Sequence, residues 1–255
     1  MNSRPKYILL IVFSFSILLP KCTKKKLTPN GFVATNQYDT VIFSNEAWLV
    51  KGSVEKTGPG PNYWDSKNVR VDNTGGLHLR INRDSLTGHW RCAEIISLKL
   101  FGYGTYEFSI ANGANILDKN VVLGLFNYSG NDGFDEMDIE VARWDFNNHP
   151  NLYYSVWPAY NSNGTKWTNA SFFDPPSTYT IHRFTRTPHI VMFQSLGLSD
   201  SGTIIQNFSQ SDYDSASISR VPMSVHINLW LYRGNAPTTG NDVEIVIRSF
   251  KYFPL

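Results

Sequence analysis

Cysteine is nearly absent from this sequence, with only Cys22 and Cys92 among 255 residues, too few for a disulfide framework. Charge is sparse too, at 17% of residues, and it is unevenly spread. Six of the 23 basic residues, Arg4, Lys6, Lys21, Lys24, Lys25 and Lys26, fall in the first 26 positions with no acid among them. That leaves 17 basic against 21 acidic residues in the rest, a net of −4. A mildly acidic body without a basic stripe argues against nucleic acid as a ligand. There is no internal repeat, no long low-complexity tract and no amphipathic helical pattern beyond the N-terminal run, which removes solenoids, helical bundles and disordered chains. His78, His89, His149, His182, His189 and His226 are scattered without metal-ligand spacing. They are read as surface or core residues, with His182 and His226 as candidates to line a cleft, and no metal ligand is assigned.

The longest uncharged apolar run, Tyr7 to Leu19, follows Arg4 and Lys6. It is too short to span a bilayer comfortably and has the form of an export signal over residues 1–22. Cys22, preceded by Leu18 and Leu19 and followed by the lysine-rich "TKKKLTPN", is a candidate lipidation site. The alternative is a plain secreted or periplasmic protein, and a lipid anchor at Cys22 would be the sole membrane contact. Residues 23–31 read as a tether and 32–255 as one domain. Cys92, with Cys22 lipidated, is expected to be a buried small apolar residue, a Cys22–Cys92 disulfide being the alternative.

What is plentiful is β-forming sequence, with 42% hydrophobic and 14% aromatic residues. Strand-like runs recur: "NVRVD", "LHLRI", "AEIISLKL", "GTYEFSI", "NVVLGLFNY", "MDIEVARW", "LYYSVW", "YTIHRFT", "HIVMFQSL", "SVHINLWLY" and "VEIVIRSFKYF". Turn chemistry such as "DNTGG", "GNDG", "NSNG" and "RGNAPTTGND" separates them. The pattern predicts an all-β fold, an antiparallel sandwich or barrel.

Within that pattern "DEMDIE", residues 135–140, places four of the chain's acids in six positions. In a strand the side-chain period is two, so Glu136, Asp138 and Glu140 project from one face and Met137, Ile139 and Val141 from the other. A half-exposed strand with an acidic face would look the same, but three carboxylates repel one another where Thr, Lys or Gln would serve a solvated face. Crowding or burial raises the pKa of one carboxyl while a neighbour stays ionised. An acid and a nucleophile so paired can cut a glycosidic bond with retention, provided they approach within ~5 to 5.5 Å. The α-carbons of Glu136 and Glu140 are ~13 Å apart by strand rise, so a concave sheet must lean the side chains together.

The motif "EMDIE" resembles the signature of glycoside hydrolase family 16, the β-jelly-roll enzymes. The resemblance runs from about Trp64 to Phe253, with "CAEIISLKLFGYGTYEFSI" similar to the strand pair ahead of the catalytic strand, "VVLGLFNY" to the next strand, "SVHINLWLYRG" to the late strand of the concave face and "VEIVIRSFKYF" to the closing strand. It implies a concanavalin A-like jelly roll with a concave cleft. It further implies Glu136 as nucleophile, Asp138 as the group that orients and tunes the pair, and Glu140 as general acid and base. The spacing is the plain form, without a bulge between aspartate and second glutamate. Asn228 and Trp230, at i and i+2, correspond to glycan-contacting residues, since sugar rings stack on aromatic platforms flanked by polar groups. Trp90, Glu94, Phe134, Trp144 and Trp157 are further substrate-binding candidates, each tryptophan being as compatible with core packing.

Three departures stand out: Arg186 where the family has tryptophan, Ile96 where arginine is common, and "SLG" in place of a "VDG" turn. They are expected to lie around substrate subsites. The resemblance implies an endo-acting retaining hydrolase of β-1,3 or mixed β-1,3/1,4 glucans, with polysaccharide as partner, a monomeric state and no redox or nucleotide cofactor. It leaves room for a structural Ca²⁺ away from the cleft. A transglycosylase using the same residues, a non-catalytic glycan-binding lipoprotein and a structural envelope protein are the alternatives.

Overall fold

The computed structural model describes residues 39–175, 178–197, 204–211 and 217–255; the export signal, Cys22 and the tether lie outside the described residues. Among the described residues no helix is long and apolar enough to cross a membrane. The strands are β1 (Thr40–Phe43), β2 (Glu46–Val50), β3 (Tyr63–Trp64), β4 (Val69–Val71), β5 (Leu77–Arg83), β6 (Trp90–Phe101), β7 (Gly104–Ile110), β8 (Val121–Tyr128), β9 (Glu136–Val141), β10 (Leu152–Trp157), β11 (Trp167–Ser171), β12 (Thr180–Arg186), β13 (Ile190–Gly197), β14 (Ile204–Ser211), β15 (Met223–Leu231) and β16 (Val243–Pro254).

They form two antiparallel layers. One runs β11-β10-β9-β8-β15-β6 and continues through β2 to β1; the other runs β14-β13-β12-β7-β16-β5, with β4 beyond β5. The layers join where the end of β5 pairs with the start of β6, Asn82 opposite Arg91 and Arg83 opposite Trp90. This is the all-β sandwich expected.

Alternation explains how the layers meet. Met137, Ile139 and Val141 of β9 and Leu123 and Leu125 of β8 are at most 1% exposed and belong to the same core as Tyr106, Phe108, Phe184 and Phe193 of the second layer. Aromatic contacts bridge the gap, with Tyr154 stacked on Phe193 at 4.8 Å and Trp48 edge-on to Phe250 at 5.4 Å. Such pairs add about 0.5–1.5 kcal/mol each beyond their burial. Cys92 is buried and unpaired as expected, its thiol pushed up to about 12 by burial.

"CAEIISLKLFGYGTYEFSI" forms the two strands expected, β6 in the first layer and β7, paired with β12 and β16, in the second. The chain crosses between layers at Gly102 and Tyr103. Two of the three departures, expected around substrate subsites, lie outside the cavity over the acid motif. Arg186 is fully buried, donating to the carbonyls of Phe101, Ser219 and Val221, so it ties segments together at the edge of the core. The "SLG" stretch sits inside β13, with Ser195 buried.

His182 likewise faces the core rather than a cleft. Its Nδ1 lies 2.7 Å from Ser195 Oγ, which accepts from the Tyr154 hydroxyl at 2.7 Å, and its Nε2 lies 3.0 Å from Thr180 Oγ1. Burial lowers its pKa from 6.5 to about 3. The unfolded chain therefore binds one more proton than the folded one between these values, and stability falls as pH drops through 6.5 toward 3, by about 1.4 kcal/mol per unit from this group. Urea unfolding followed against pH should show His182→Gln less stable than the parent at pH 7, by about 1–3 kcal/mol, yet with a shallower loss below pH 6.

Candidate active site

β9 lies between β8 and β10 in continuous register, Glu136 opposite Tyr128 and Trp157, Asp138 opposite Phe126 and Ser155, Glu140 opposite Gly124 and Tyr153. No bulge interrupts it, so the plain spacing of the motif places all three acids on one face. The rows continue through β15 into β6: Phe126 faces His226 and then Ile96, while Gly124 faces Asn228 and then Glu94. The motif acids thus open one end of three rows, and Asn228 and Glu94 close one of them.

A cavity of about 570 Å³ lies over these rows. Its floor is Glu136, Asp138, Glu140, Gly124, Phe126, Tyr128, His226, Asn228 and Trp230, and its wall is Thr57, Gly58 and Pro59. Of the expected residues, Glu136, Asp138, Glu140, Asn228, Trp230 and Glu94 meet here. Glu94 is already engaged by protein partners: Lys51 Nζ donates to its Oε2 at 2.6 Å, and its Oε1 is 2.8 Å from His226 Nδ1. Lys51 also donates to the Gly58 carbonyl at 2.7 Å, fixing the wall to the floor. Ile96, in place of an arginine, is part of this lining.

The remaining candidates stand outside the lining. Trp90 shares the parity of Glu94 but sits where β6 turns away to pair with β5. Phe134 packs edge-on against Tyr160 at 5.5 Å. Trp144 lies against Tyr153, Trp230 and Tyr232, with ring centres 5.6, 6.2 and 5.3 Å apart, so it buttresses Trp230. Trp157 donates from Nε1 to Asp138 Oδ2 at 2.9 Å. Lys51, Gly124, Phe126, Tyr128 and the 57–59 wall were not singled out from sequence. The alternation of "VVLGLFNY" carried Gly124, Phe126 and Tyr128 on one face, but which face met the acids depends on pairing.

Electrostatics sets the state of the carboxyls. Burial first, then the neighbouring charge of Glu140, pushes Glu136 up to about 7 against a hydrogen bond with Asp138 that lowers it. Burial and the charge of Asp138 push Glu140 up to about 8. Asp138 itself is held well above the usual range by burial and by Glu136. Burial and mutual repulsion thus hold all three carboxyls above the ordinary range, so that a protonated and an ionised member can stand side by side on one face.

No protein-family model matches the chain. It is 27% identical to the beta-glucanase of Paenibacillus macerans over 158 residues, 61% of this chain and 62% of that protein. To the beta-glucanase of Bacillus licheniformis it is 26% identical over 171 residues, 66% of this chain and 62% of that one. The chain thus spans 62% of the length of these relatives. The solved Bacillus licheniformis beta-glucanase superposes with a TM-score of 0.62 over 87% of this chain and 100% of the other, at 17% identity. The chain is beta-glucanase-like in sequence and has the same jelly-roll fold.

Two stability measurements test the site's construction. A Cβ on Gly124 would lie 2.4 Å from Asn228 Oδ1, so Gly124→Ala must displace that carboxamide and is expected to cost about 1–3 kcal/mol in chemical denaturation. Ionising the raised Glu140 weakens the fold as pH climbs from 4.5 toward 8. Glu140→Gln should therefore melt higher than the parent at pH 8, with the gap closing at pH 4.

Proposed function

We propose that this protein is a retaining endo-β-glycan hydrolase acting on β-1,3 or mixed β-1,3/1,4 glucans. The observation that carries the reading is the three-carboxylate face of β9, its carboxyls raised by burial, in one cavity with Asn228 and Trp230. The sequence likeness to two beta-glucanases supports the substrate class.

Ionised Glu136 attacks the anomeric carbon while Glu140 gives its proton to the departing glycosidic oxygen, forming a covalent glycosyl-enzyme. Glu140, now a base, takes a proton from water, whose oxygen attacks the same carbon and releases Glu136. Asp138, hydrogen-bonded to Glu136 and Trp157, holds the nucleophile in place and shares its charge. Trp230, backed by Trp144, offers a face for a sugar ring, and Asn228 a carboxamide for its hydroxyls. Two carboxyls suffice, so the reaction requires no redox or nucleotide cofactor. The N-terminal export signal fits an enzyme that meets polymeric glucan outside the cytoplasm.

Reducing-sugar release from laminarin, lichenan, xyloglucan, agarose and carrageenan tests the reading. Release is expected from laminarin or lichenan, and Glu136→Gln and Glu140→Gln should each lower it by at least about 10³-fold, the scale expected for loss of a nucleophile or proton donor. Azide should partly restore the Glu136→Ala variant, giving an inverted glycosyl azide. Full activity in either glutamine variant would overturn the assignment.

A further inference from the structure

The three acids of β9 need a counter-charge, and the neighbouring groups differ in what they supply. Tyr128 and Asp132 face Glu136 from the β8 side, and the Tyr128 hydroxyl donates to Asp132 at 2.6 Å. Tyr153 faces Glu140 from β10. His226, in the same row as Asp138, has Nδ1 against Glu94, the carboxylate that Lys51 also engages. Asp132 adds negative charge and the tyrosines add none.

Lys166 is different. It is an exposed residue immediately before β11, outside every motif of the sequence. Its Nζ sits 3.9 Å above the Trp157 ring centre, and Trp157, directly opposite Glu136 in register, donates to Asp138. An ammonium over an indole face is attracted by the ring's negative face and, by drawing density from the ring, makes Nε1–H a stronger donor. From above that indole, and outside the cavity lining, Lys166 places a positive charge near the carboxyls.

We propose that Lys166, stacked on Trp157, is the positioning residue that supplies positive charge to the acid face of β9 and sets the pH window in which it works. The proposal rests on the hydrolase reading for its functional meaning, but its electrostatic part stands independently. Lys166 lowers the pKa of Glu136, Asp138 and Glu140 alike, against the burial that raises all three. Its location on a connecting segment beside an edge strand makes it a charge the chain can change without touching the core.

Side-chain titration of ¹³C-labelled glutamate by NMR in the full chain tests this, with Glu136→Gln and Glu140→Gln identifying the two resonances. In Lys166→Met both midpoints should move to higher pH, by about half a unit, and Lys166→Arg should restore them. The limbs of the kcat/KM profile on β-glucan should move in the same direction. Midpoints unchanged in Lys166→Met would overturn the proposal. Midpoints that move while no form cuts β-glucan would uphold the role of Lys166 and overturn the hydrolase reading instead.

Discussion

Three carboxyls on alternate positions of one strand are an arrangement that water would dissolve and a folded protein must enforce. Each is raised above its ordinary range by burial, and each raised value measures work done against the fold. What makes the arrangement sustainable is the opposite face of the same strand. Met137, Ile139 and Val141 are buried in the sandwich core, so β9 cannot slip by one residue without exchanging oil for acid. The register that holds the core together is therefore the same register that crowds the acids.

The sheet around β9 is then composed to leave room and to supply partners. Gly124 contributes no side chain where the rows between Glu140 and Asn228 cross, which keeps the cavity open at its centre. The Lys51, Glu94 and His226 cluster binds β2, β6 and β15 to the 57–59 wall through buried charge-assisted contacts. Breaking such a cluster at one member leaves the others uncompensated. Trp157 and Lys166 join β9 to the edge of the layer.

Much of this was legible in the order of residues, because it depends on periodicity. The strands from β4 onward, β11 and β14 apart, came from alternation and turn chemistry, and the acid face of β9 followed from a period of two. Strands β1, β2, β3, β11 and β14 did not, being short or flanked by polar residues. β1 and β2 are joined by Ser44 and Asn45, both with positive φ, in a tight hairpin turn that shows how little sequence such a connection needs. What the chain hid was which strands face each other. Glu94 was a candidate by position, but its engagement with Lys51, 43 residues away, and with His226, 132 residues away, depends on pairing across the sheet. For the same reason Arg186 and "SLG" were expected near the cleft, and the donation from Trp157, a substrate-binding candidate by position, to Asp138 could not be read from the chain.

The central claim is that two of these carboxyls cut a β-glucan in two displacements at one carbon. Proton NMR of the first oligosaccharides released from lichenan or laminarin, recorded before mutarotation scrambles them, reads that stereochemistry directly. With Glu136 as nucleophile the β-anomer appears first and the α-anomer only grows in later. Initial release of the α-anomer would mean a single displacement by water, and would contradict the role given to Glu136.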